Sequence, residues 1–215
     1  MKIPVPFCVR LSAATYFSAL LVGLILAGAP TQGQEMTPVM RAAAAWQMAA
    51  NVGLSMALYD AGGADKFATQ AASYASDAAR ALNVQLPKPP QKTGKRAEDS
   101  AAVMKFLLVD CAKAMGSKVS KGGEASLVEI GLKTGVLLII YGSGDDSGKT
   151  LATAIEARAR EAGLPDEMVS GLIKGIHNDA PYADVRAGVL ELHKNVAAYL
   201  TAKAGGGESK PPVNK

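Results

Sequence analysis

The 215-residue chain has almost no cysteine or histidine, with only Cys8, Cys111, His177 and His193. That scarcity excludes three familiar chemistries. There is no His-Glu-x-x-His helix to grip zinc, no Cys-x-x-Cys-His to attach haem, and no Gly-x-Ser-x-Gly elbow to present a nucleophilic serine. His177 and His193, even with Asp179 and Glu191, match no established ligand spacing, so neither a metal nor a cofactor is expected. His177 lies in "GIHNDAPY", a helix end where histidine faces open carbonyls, and His193 is expected at the edge of the last helix's polar face.

A large excess of one charge is missing too. Lysine and arginine number 23 against 19 acidic residues, a formal charge of +4. Loss of residues 1 to 33 would remove Lys2 and Arg10 and no acid, lowering +4 to +2. Nucleic acid is therefore not an expected partner. Aromatic residues make up 5%, with a single tryptophan, Trp46, which is expected in the core beside Met48.

The N-terminus is the most explicit signal. Lys2 and Arg10 precede "LSAATYFSALLVGLILAGA", Leu11 to Ala29, which has no charge and ends in small residues. These are the parts of a secretory signal peptide, expected to be cut after Gly33. Left uncut, the same stretch would be the chain's membrane contact. The expected location is outside the cytoplasm, in the periplasm or beyond the cell. Cys8 would leave with the signal, and Cys111 alone could form no internal disulfide. Within "VMKFLLVDCAKAM", Met104, Leu108, Cys111 and Met115 follow helical spacing, which predicts a buried, inert thiol.

About 180 remaining residues suffice for one compact domain, assigned to 34–203, with a disordered tail over 204–215. "LPKPPQKTGKR", residues 86 to 96, is a basic, proline-rich linker. A shift of 82 residues places Gly53 on Gly135, Tyr59 on Tyr141 and Gly62 on Gly144. Gln47, Asn51 and Ser55 then fall on Glu129, Lys133 and Leu137, which keeps most of a polar stripe at helical period and predicts an i,i+4 pair, Glu129 with Lys133. Past the glycine turn a shift of 84 places Phe67, Ala71, Ala75 and Ala78 on Leu151, Ile155, Ala159 and Ala162. Each copy closes on a stop, Asn83 before Pro87 and Gly163 before Pro165. The unit reads as helix, glycine turn, helix, stop.

Further helices are predicted at about Ala97 to Met115, Pro165 to Ile176 and Asp184 to Ala202, the last with a seam of Val185, Val189, Leu192, Val196 and Tyr199. The expected fold is an all-α bundle of about six or seven helices, built from two duplicated, diverged halves, 36–116 and 123–203. Gly53, Gly131 and Gly135 cost about 1 kcal/mol each inside a helix, so their places predict close helix–helix approach.

"VLLIIYGSGDDSGKT", residues 136 to 150, imitates a strand entering a phosphate loop. The loop needs Gly-x-x-x-x-Gly-Lys-Ser/Thr, but Ser143 stands where its first glycine belongs. Asp145 and Asp146 would also repel phosphate. Gly144 is read instead as a turn, with Asp145, Asp146 and Ser147 capping the next helix. A nucleotide hydrolase using Lys149 stays a remote alternative.

The expected function is that of an exported, non-enzymatic helical module, acting through an unidentified protein partner or self-association, or as an envelope element. The alternative is a carrier or sensor holding a small apolar molecule between the halves, lined by Tyr59, Tyr141 and Trp46.

Overall fold

The computed structural model describes residues 37–60, 83–116 and 123–204, together with Thr69 and Ser73. Of the two compact units into which the chain divides, Met1–Met36 and Thr37–Lys215, these belong to the second. The stretch expected to be a signal peptide, Gly62, most of the helix expected after Phe67, the junction at 117–122 and residues 205–215 lie outside the described residues. Thr69 and Ser73 are helical, and Ala204 still belongs to the last helix rather than to the tail.

Six helices fill the described residues, with no strand among them. Helix α1, Pro38–Asp60, starts where the sequence supplies a cap: Thr37 Oγ1 accepts the amide of Met40 at 3.2 Å, and Pro38 occupies the first turn, where its missing N–H costs nothing. It is buried nearly all round, Asn51 and Ser55 included. Helix α3, Gly123–Gly142, is its main partner. Among the described residues α3 alone is long and apolar enough to cross a bilayer, and 67% of that window is buried within the bundle.

The glycines explain how α1 and α3 fit. A Cβ on Gly53 would lie 2.8 Å from the carbonyl oxygen of Gly131, and one on Gly135 would lie 2.6 Å from Gly53 Cα. Both distances are shorter than real contacts allow, so backbone rests on backbone and only glycine fits. Close approach at Gly53, Gly131 and Gly135 is thus observed as expected.

Helix α2 runs through Arg96–Lys105, a π-helical turn Phe106–Cys111 and Ala112–Gly116, and packs on α1 and α3. Asp99 ties its start to the linker by accepting the Thr93 amide at 2.7 Å, the Thr93 hydroxyl at 2.9 Å and the Gly94 amide at 3.1 Å. The π turn corrects the expected seam. It buries Val103, Phe106, Leu107, Cys111 and Met115, while Leu108 is exposed. A wider turn advances fewer degrees per residue, so the apolar stripe drawn at α-helical period slips off its face.

Helix α4, Ser147–Glu161, packs on α3 through Gly148, Ala152, Ile155 and Ala159. Helix α5, Asp166–His177, lies against α4 and α6, and α6, Tyr182–Ala204, returns to α1 and α3. Val185, Val189, Leu192 and Val196 form the α6 seam as expected. Leu200 completes it in place of Tyr199, whose ring lies half-buried under Lys203 Nζ at 4.6 Å. Asn83 and Gly163 both take positive φ, 51° and 70°, the left-handed geometry their stop patterns require.

Candidate functional site

The segment that imitates a phosphate loop is helical up to Gly142 and then turns through Gly144 at φ 75°. No strand feeds it. The capping carboxylate is Asp145, whose Oδ1 accepts the Ser147 amide at 2.8 Å, whereas Asp146 occupies the cap position in helical geometry without a side-chain bond. Of the two aspartates expected as caps, Asp145 caps and Asp146 does not, because the turn brings the earlier carboxylate over the open amides. That hydrogen bond holds Asp145 below the ordinary carboxylate range.

A second turn docks on this one. Tyr141 Oη donates to the carbonyl of Ala180, and the ring of Tyr182 lies 3.2 Å from where a Cβ on Gly142 would be. Lys149 Nζ meets Asp179 Oδ1 at 2.8 Å, and Thr153 lies 3.4 Å from His177 Nε2. The bond to Asp179 and its charge hold the Lys149 pKa above its usual value. Between the turns is a cavity of about 240 Å³ lined by Tyr141, Gly144, Asp145, Asp146, Lys149 and Asp179. Three carboxylates against one lysine disfavour a phosphate there.

Of Tyr59 and Tyr141, expected to line one cavity, Tyr141 lines the one between the turns. Tyr59 is buried with Lys92 Nζ 4.3 Å above its ring, and it lines neither of the two cavities described. Trp46 is in the core, 1% exposed.

His193 is the larger correction, since it is buried rather than at a polar edge. Its Nε2 lies 2.8 Å from Thr134 Oγ1, and its ring stands edge-on to Trp46 at 5.7 Å. Helices α1, α3 and α6 therefore meet at one polar node. Burial lowers the His193 pKa from 6.5 to about 4, which keeps it neutral at physiological pH. Cys111 is buried as expected, and burial, with the nearby Asp110 charge, pushes its thiol up to about 12. Glu129 and Lys133 pair as predicted, and Arg158 Nε joins Glu129 at 2.9 Å.

Polar groups also gather where α1 ends. Asp60 is buried, accepts the Ser100 hydroxyl through Oδ1 and, among the described residues, has no hydrogen-bond partner at Oδ2. Burial raises the Tyr182 phenol pKa nearby, and buried Arg186 Nε likewise lacks a hydrogen-bond partner among the described residues.

A groove on the surface escaped sequence reasoning. It is an open groove of about 680 Å³ between α5 and α6, floored by Met168, Leu172, Val185 and Leu192 and edged by Glu167, Asp184 and Glu191. Small residues on both walls make the room. Gly171 has no atom within 4 Å of a Cβ placed on it, and Gly188 faces Leu172 at 3.2 Å. Gly171 and Gly175, one turn apart, were the available signal. Among the described residues no three metal-capable side chains are gathered in one place. Comparison with protein-family models, curated proteins and solved structures finds no match to this chain.

Proposed function

We propose that this protein is an exported, non-enzymatic helical module that works by binding another polypeptide. The α5–α6 groove carries the reading. It is open along two helices, apolar beneath and edged by carboxylates, the character of a surface that receives one helix face. The side chains first considered for chemistry are engaged in holding the bundle: Lys149 with Asp179, His193 with Thr134, and Cys111 within the core.

The halves are proposed to be copies arranged about a pseudo-twofold. Gly53 and Gly135, matched by the 82-residue shift, are the residues that touch across α1 and α3. Matched residues meeting each other is the signature of a twofold contact. The shared pattern of glycine turn and left-handed stop supports the same origin. Export rests on the sequence of residues 1 to 33 alone.

A second reading is a small-molecule carrier, favoured by the groove's volume, which lies in the range of ligand pockets, about 300–1,000 Å³. In that case the ligand sits between α5 and α6 and not beside Tyr59. Native mass spectrometry of the protein purified from its own cells separates the two readings. A polypeptide mass added to the monomer is expected. A bound small molecule lost on denaturation, with no added polypeptide, would sink the interaction reading.

A further inference from the structure

We propose that the α5–α6 groove receives the exposed face of α2 from a second copy of this chain, an inference that rests on the interaction-module reading and names its partner. The argument begins at the π turn. By rotating the apolar stripe it leaves Leu108 39% and Val109 53% exposed, two of three large hydrophobic side chains so placed among the described residues. Lys105 and Lys113, both exposed, stand before and after them. The face is thus an apolar ridge with a cation at each end, while half-buried Asp110 lies to one side.

The groove is its complement. Its floor is apolar, its edge carries Glu167, Asp184 and Glu191, and no lysine or arginine lines it. Spacing agrees as well as sign. Lys105 and Lys113 are eight positions apart across the π turn, whose wider coil rises less per residue, and Asp184 and Glu191 are seven apart, about 10 Å at α-helical rise. Because Leu108 and Val109 are exposed, the ridge does not fill its own molecule's groove. Ridge and groove are different surfaces, so the contact is head-to-tail, and repetition gives a ring or an open chain.

Sedimentation velocity on the protein from its own cells, across a range of concentration and salt, tests this. The wild type should form assemblies larger than the monomer that loosen as salt rises. Val109→Glu should disable the ridge, and Asp184→Lys with Glu191→Lys the groove, each weakening self-association about tenfold or more by placing a like or unpaired charge in the contact. All these positions are exposed, and circular dichroism checks that the helices persist. Lys105→Glu with Lys113→Glu is a second ridge variant that changes charge alone. Mixed, the ridge and groove variants should form a one-to-one dimer and nothing larger, since each keeps the face the other lacks. A wild type that stays monomeric, or disabled variants that fail to pair although the wild type assembles, overturns the proposal. A monomeric wild type holding a different polypeptide, lost with the groove variant, overturns self-association alone; a wild type holding none sinks the interaction reading too.

Discussion

Acidification from pH 7 to pH 5 should destabilise this protein through one side chain, His193. In the folded state its pKa is about 4, because the ring is buried, while the unfolded chain returns it to 6.5. Below 6.5 the unfolded state takes up a proton that the folded state refuses, so stability is lost as pH falls from 6.5 towards 4. With these two values the loss between pH 7 and pH 5 is about 2 kcal/mol, and about 3 kcal/mol once both states are protonated. The carboxylates held low by their hydrogen bonds, Asp99, Asp145 and Glu161, change little in that interval. Trp46 is the chain's only tryptophan and touches the His193 ring, so urea unfolding followed by its fluorescence reads the event directly. His193→Gln removes the titration while keeping a hydrogen-bonding group near Thr134. If the wild type loses no more stability than His193→Gln over this pH range, the buried neutral histidine is wrong.

Gly135→Ala should lower stability by about 2 kcal/mol, an overpacking cost that exceeds the helix-propensity gain of about 1 kcal/mol because the opposing atoms are backbone. Gly171→Ala, with open space around it, should instead raise stability by up to about 1 kcal/mol; thermal unfolding of the pair checks both signs. Cys111 should resist alkylation in the native protein at neutral pH and react once urea unfolds it, so rapid native labelling would contradict its buried thiol. Lys149→Ala should leave the thermal midpoint nearly unchanged and alter no nucleotide affinity measured by calorimetry; a loss of ATP binding would restore the phosphate-loop reading.

Helix positions were legible because their signals are local: an apolar period, a glycine or asparagine stop, and a proline beyond it. α5 and α6 fell within two residues of their expected ends for that reason. The glycines of α1 and α3 were legible as well, since a costly residue in a helix needs a neighbour to justify it. The π turn was not, because an extra residue per turn leaves no mark on composition, yet it turns Leu108 off the face on which the α-helical period places it. His193 was missed because its polarity is answered by Thr134, 59 residues away, and only the fold brings them together. The groove is defined by space between two helices, which no single segment records.

The contact of Gly53 with Gly135 sets the order in which this chain can fold. The two residues are 82 positions apart, so closing that loop costs about 4 kcal/mol before the central pair returns any packing. An N-terminal fragment ending at Gly116 lacks the surface that buries α1 and should not hold its helices in place. During synthesis nothing durable forms until α3 has emerged, which leaves the apolar α1 uncovered while about 80 further residues are made. Folding should therefore be slower than in a bundle of sequential neighbours, and dependence on a holding chaperone is set by the glycine contact rather than by chain length.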